Sequence, residues 1–230
     1  MFQINFYRKF FDLDSETFFQ KIQRALNPLN PSFDDVESEV DELYGFFWIT
    51  GTLIFLMFVS STGSNILSEW IHDNDGEKYE YSFDLLTMSI SLFYGYNILV
   101  PLILVLSTSF LLKFPTSLSL TKLISIYGYS NILWIPITLI NVLIVVFVNN
   151  KNHHLILNLL EWLVVSASGV ITGLSNLSKI GPQIHRNTLL VNEGNPDAAK
   201  RQYILVMSCL GLAHLVFTMI VKISFFGIKV

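Results

Sequence analysis

The sequence predicts an all-α polytopic membrane protein, with five transmembrane helices behind a cytosolic N-terminal segment of short amphipathic helices. Three observations carry this. Of 230 residues, 52% are hydrophobic and only 14% charged, against about 25% charged in soluble domains; mean hydropathy is +0.52. Five stretches, residues 45–67, 85–112, 123–148, 155–177 and 203–226, are apolar along their length. Each reaches the ~20 residues that a helix needs to cross the hydrocarbon layer. Within them the only charges are Glu161 and Lys222. A transmembrane barrel would instead show alternating segments of about ten residues. The chain therefore divides into an N-terminal segment, residues 1–42, and one membrane domain, residues 43–230.

The N-terminal segment opens with Phe2, Phe6, Phe10 and Leu13 at helical spacing. Residues 15–26 then read as an amphipathic helix with Phe18, Phe19, Ile22 and Leu26 on one face. Asp14 is its N-cap, Glu16 sits in the first turn, and Lys21 and Arg24 lie toward the end where the helix dipole favours cations. Pro28 and Pro31 stop it. Such a helix either lies in the lipid headgroup layer or packs on the protein's own cytosolic face, and its apolar face is compatible with both. Asp34, Asp35, Glu37, Glu39, Asp41 and Glu42 follow as an acidic, solvated linker.

The spans come next. No cationic region precedes an early apolar run, so the first span is expected to serve as an uncleaved signal. Pro101 and Pro136 are expected to kink the second and third spans. Lys and Arg collect in short cytosolic loops. With the N-terminus in the cytosol, Arg8, Lys9, Lys21, Arg24, Lys113, Lys122, Lys179, Arg186, Lys200 and Arg201 fall inside; Lys78, Lys151, Lys222 and Lys229 fall outside. That bias favours a cytosolic N-terminus and a lumenal C-terminus. The sequon Asn176-Leu177-Ser178 then lies at the cytosolic membrane edge and stays unmodified.

Several functions are excluded by composition and spacing. A net charge of −4 and pI near 5.7 leave no basic footprint for nucleic acid. Cys209 is the single cysteine, expected as a small apolar filler deep in the fifth span. No nucleophile–base pair, paired carboxylates or phosphate-cradling glycine loop appears, so the chain is read as no enzyme, with no cofactor. Glu161 with His153 and His154 lacks the spacing and ligand count of a zinc site; Glu161 is expected to reach the lumenal interface near His154. His214 lies mid-span, where Asn97, Asn131 or Asn141 are its expected hydrogen-bond partners. Gly169-x-x-x-Gly173 is expected to serve close helix packing within the chain.

The linker runs directly into Glu42-Leu43-Tyr44-Gly45-Phe46-Phe47-Trp48-Ile49. This resembles the Asp-Leu-Tyr-Gly-Pro-Phe-Trp-Ile signature that opens the first span of the Yip-domain (YIPF) family. Phe6 through Asp14, Phe93-Tyr94-Gly95-Tyr96 with Pro101, Ile126-Tyr127-Gly128-Tyr129-Ser130 before Trp134-Ile135-Pro136, and Ala213-His214-Leu215 through Phe226 resemble further family segments in order. They point to the branch holding the fungal Yip five and animal YIPF one and two proteins. Glu42 replaces the family's Asp and keeps its charge; Phe46 replaces Pro and removes a preset turn. The resemblance implies a five-span protein of the Golgi and early secretory pathway, acting in vesicle-mediated transport. It also implies partners: Rab/Ypt GTPases, prenylated ones included, and other multi-span membrane proteins.

The partner surface would be Glu42, Leu43, Tyr44, Gly45 and Trp48 together with Tyr127, Gly128 and Tyr129. The same residues also read as an aromatic belt and a helix-packing site, since Tyr44 and Trp48 share a helix face and favour the interface. Asn97, Asn131, Asn141, Glu161 and His214 form the intramembrane polar set, and they motivate the alternative of a transporter, channel or lipid-moving protein. Against that alternative, no internal repeat is present.

Overall fold

The computed structural model describes residues 8, 10–27, 42–72, 83–147 and 150–225. The repeat at Phe2 and Phe6, the acids at 34–41, Phe226 and the His153 and His154 side chains lie outside the described residues. Among the described residues the chain is all-helical, with no strand. Helix α1 is Ser15–Leu26, α2 Tyr44–His72 and α3 Phe83–Leu106, which runs into a wide turn at Ser107–Leu111. Then come α4 Leu120–Ser130, a tight turn Asn131–Leu133, α5 Trp134–Phe147, α6 Asn150–Val191 and α7 Pro196–Phe225.

Four helical stretches are long and apolar enough to cross a membrane: Phe83–Leu111, Leu120–Ile144, Leu155–Val191 and Pro196–Phe225. Helix α2 contributes a shorter apolar run, Tyr44–Ser60.

Helix α1 begins as the sequence predicts. Asp14 accepts from the Thr17 N–H and hydroxyl, both at 2.8 Å. These two donors hold its carboxyl below the ordinary value of 3.8, because they favour the charged form. Ahead of it, Phe10 and Phe11 form a turn and Leu13 is not helical, so the early periodicity does not extend to Phe10 and Leu13. The Phe10 carbonyl instead accepts the Leu43 N–H at 2.8 Å, tying the leading segment to the start of α2.

The prolines act in different ways. Pro136 is the third residue of α5, where a first-turn N–H needs no intrahelical partner; the break in that span is the preceding Asn131–Leu133 turn. Pro101 is buried inside α3, and the irregular turn lies beyond it at Ser107–Leu111.

The largest departure from expectation is α6. Hydropathy ends its span at 177, but the helix continues to Val191. Its 42 residues measure about 63 Å at 1.5 Å per residue, roughly twice the hydrocarbon thickness. The stop is local chemistry: Gly194 adopts φ +84°, and Asn195 Oδ1 caps α7 by accepting the Ala198 N–H at 3.0 Å. Pro196 and Asp197 then open α7. Helices α6 and α7 therefore project together as a hairpin at the end of the bundle where α1 sits. Asn187, fully buried, accepts the Thr116 N–H at 3.1 Å and its hydroxyl at 2.6 Å, fastening the α3–α4 loop to this projection.

Two apolar cores fill the bundle. Leu53, Phe93, Trp134, Val165 and Phe217 belong to one; Leu104, Leu123, Tyr127, Ile180 and Leu210 belong to the other. Gly169 and Gly173 sit against Thr218 and His214 of α7, so the small-residue motif packs within the chain, as expected. Cys209 faces outward instead of filling the core, because Val206 and Leu210 occupy the inward positions on either side of it.

Candidate functional site

The signature residues of α2 and α4 meet where α1 docks. A Cβ on Gly45 would overlap the Tyr129 ring, and one on Gly128 would overlap the Phe46 backbone. The two glycines thus let the start of α2 and the end of α4 touch almost backbone to backbone. Glu42 is 1% exposed. One of its carboxylate oxygens accepts the N–H groups of Tyr44 and Gly45, capping the first turn of α2 where a negative charge is favoured. The other accepts from the Ser125 hydroxyl at 3.2 Å and from Lys21 Nζ at 3.1 Å.

Lys21 comes from α1 and is itself buried. The expected apolar face of α1 is accordingly rotated. Phe18 and Ile22 point inward with Lys21 and Ala25, packing on Ile49 and Tyr129; Phe19 and Leu26 do not. Phe18 meets Tyr44 edge-on at 5.4 Å between centroids, and the Ser175 hydroxyl donates to the Ala25 carbonyl at 3.1 Å. Helix α1 is therefore packed on the protein's own surface.

Of the expected partner surface, Glu42, Gly45, Tyr127, Gly128 and Tyr129 are buried, Leu43 and Tyr44 are half-buried, and Trp48 is exposed. The structure brings them together as a helix-packing joint. Replacing Gly128 by Ala is expected to cost about 1–3 kcal/mol by overpacking, because the opposing Phe46 backbone cannot rotate away. Gly95, in the matching α3 motif, has nothing within 4 Å of a new Cβ. Gly95→Ala should leave the melting temperature unchanged or slightly raised, which a thermal unfolding series in one detergent would check.

Of the intramembrane polar residues, Asn97, Asn131 and His214 lie along their helices between members of the two cores. Asn131 Nδ2 donates to Thr50 Oγ1 at 2.9 Å, and Asn97 Nδ2 to the same oxygen at 3.5 Å. His214 does not meet an asparagine. Its Nδ1 pairs with the Tyr96 hydroxyl at 2.7 Å, and its Nε2 lies 3.0 Å from Thr172 Oγ1 and 2.9 Å from the Gly169 carbonyl. The Gly173 gap in α6 is what admits the ring this close. Asn141 Oδ1 has no partner among the described residues. Because these groups largely satisfy one another, they specify helix register.

Glu161 has a partner that the sequence reading does not supply. It pairs with Lys222 at 2.9 Å across the α6–α7 contact. The sequon asparagine, Asn176, is buried. Sequence reasoning missed Lys21, Ser125, Thr50, Tyr96 and Thr172 as members of these networks. Among the described residues no cluster of His, Cys, Asp and Glu is arranged to hold a metal ion.

The sequence profile of the Yip1 domain matches residues 26–189, from the last residue of α1 to near the end of α6. The chain belongs to the Yip1 domain family. It is similar to the protein named YIPF1 homolog of Dictyostelium discoideum, with 24% identity over 226 residues, covering 98% of this chain and 56% of that protein. It is also similar to Protein YIP5 of Saccharomyces cerevisiae, 36% identical over 144 residues, covering 60% of this chain and 46% of the other. Protein YIP5 of Schizosaccharomyces pombe is 32% identical over 121 residues, covering 51% and 46%. The chain spans about half the length of the curated relatives it matches. No solved structure matches it. Family membership covers both halves of the α2–α4 joint, so the joint belongs to the Yip1 domain proper.

Proposed function

We propose that this Yip1-domain chain is a five-span Golgi or early secretory membrane protein acting in vesicle-mediated transport. It binds Rab GTPases, prenylated ones in particular, and pairs with other multi-span membrane proteins. The observation that carries the reading is the family match across residues 26–189 on a bundle of membrane-length apolar helices. Helix α2, whose apolar run starts at the Glu42 cap, supplies the fifth crossing. Lys113, Lys122, Lys179, Arg186, Lys200 and Arg201 gather at the projecting end, and the positive-inside bias assigns that end to the cytosol. The N-terminus is then cytosolic and the C-terminus lumenal.

Most of the signature residues are buried, so a soluble GTPase would meet the projecting α6–α7 hairpin and not the joint itself. Along α6, Pro182, His185, Arg186, Leu189 and Leu190 share one face of the helix in a shallow, open depression. Its leucines offer an isoprenoid chain an apolar surface beside the Arg186 cation. The test is capture of Rab GTPases, prenylated and unprenylated, by the full chain in nanodiscs. Prenylated forms should be retained selectively, and Leu189→Asp with Leu190→Asp should weaken capture at least about tenfold, or 1.4 kcal/mol. Equal capture of both forms would remove the role of the tail, and no capture across the panel would remove the Rab reading.

A further inference from the structure

Helix α1 presents three different sides. One faces the bundle through Phe18, Lys21 and Ala25. A quarter-turn away, Phe19 and Leu26 are 66% and 49% exposed; seven residues apart, they fall within about 20° of each other around the helix. A further quarter-turn carries Glu16, Gln20 and Gln23, all exposed.

The apolar edge is not isolated. Phe19 touches Phe18 at 5.8 Å, Phe18 touches Tyr44, and Tyr44 touches Trp48 at 6.3 Å between ring centroids. Trp48, 55% exposed, begins the outward stripe of α2 that continues at Phe55, 62% exposed. That stripe is the face the α2 crossing would turn to lipid. Helix α1 is thus fastened at the level where the apolar run of α2 starts, with its one apolar edge continuous with that face and its polar side turned away.

We propose that α1 is an interfacial helix docked at once to the protein and to the lipid bilayer, with Phe19 and Leu26 at the acyl–headgroup boundary and Gln20 and Gln23 in water. An interfacial helix needs an apolar side and a polar side along its length, and an apolar patch kept open in water would be unusual. Docking to the bundle supplies what a helix of 12 residues lacks by itself, since short helices are marginal in isolation. The inference rests on the membrane-spanning reading given above.

The test uses the full chain with Cys209→Ser, carrying one nitroxide label at a time on F19C, L26C, Q20C or F55C. The protein is held in phosphatidylcholine–phosphatidylserine nanodiscs. Collision with oxygen reports lipid, and collision with a nickel chelate reports water. F19C and L26C should match F55C, with high oxygen and lost nickel access, and Q20C should show the reverse. If F55C reads lipid while F19C and L26C read water like Q20C, the inference fails and the membrane reading stands. Shielding of F19C and L26C from both reagents would also overturn it, placing protein on that edge, such as a second copy. Nickel access at F55C would overturn the membrane reading and this inference together.

Discussion

Lys222→Met is expected to destabilise the folded bundle by about 3–5 kcal/mol, the usual cost of stranding one member of a buried ion pair. Glu161 and Lys222 are 4% and 2% exposed. The Lys222 ammonium is 2.9 Å from Glu161 Oε2, donates to Asn158 Oδ1 at 3.2 Å and lies 5.5 Å from the Trp162 ring centroid. It sits in the last turn of α7, where helix carbonyls favour a cation. Removing the ammonium leaves the carboxylate between α6 and α7 without its counter-charge, in surroundings that solvate a charge poorly. Replacing both groups by apolar side chains removes the charge and its solvation problem together, so Glu161→Leu with Lys222→Met should return most of the loss. Thermal unfolding of the two single variants and the double in one detergent would decide. A double variant as unstable as either single would mean that the pair supplies packing volume and not mutual charge compensation.

How much of this was legible in the sequence depends on which force sets each feature. The apolar stretches were readable because the bilayer sorts residues by transfer energy; α3 falls where hydropathy put it, and α7 ends there but starts seven residues earlier, at Pro196. The ends of α6 were not, because hydropathy reports where lipid stops and not where a helix stops. Past 177 the residues turn polar while nothing breaks the helix until Gly194. The Gly45 and Gly128 motifs were visible as sites of close approach, but one chain read in order does not say that they approach each other.

Charge partners were the hardest. The sequence sets Glu161 near His154, whose side chain lies outside the described residues, and does not show that the two lone charges inside apolar stretches, 61 residues apart, pair with each other. Their opposite signs were the available signal, since ionisable groups in membranes seek one another. Lys21 reads in the sequence only as a cation placed toward the helix end that the dipole favours. Yet it lies three residues from Phe18 and four from Ala25, on the same side of α1, and the buried Glu42 carboxylate is what draws that side inward.

Glu42→Ala should therefore do more damage than Lys21→Met, although both break the same 3.1 Å pair. Alanine at 42 removes three things at once: the counter-charge for the buried Lys21 ammonium, the acceptor for the Ser125 hydroxyl, and the cap on the Tyr44 and Gly45 N–H groups. Loss of a cap alone costs about 1 kcal/mol, and an uncompensated buried charge adds about 3 kcal/mol. Methionine at 21 leaves Glu42 still accepting two backbone N–H bonds and one hydroxyl, donors that favour a carboxylate, so the remaining charge is better satisfied and the global loss should be smaller. The two variants should agree in one respect. Helix α1 is held through Lys21, the Ala25 carbonyl and the Phe18 ring, so losing the pair should free it first. Amide exchange across residues 15–26 should accelerate in both variants, whereas exchange in the α6–α7 contact should change only in Glu42→Ala. Equal exchange across the whole bundle in Lys21→Met would mean that α1 docking and bundle stability form one cooperative unit. In that case the pair would be a keystone of the fold, and α1 could not leave its seat without opening the joint between α2 and α4.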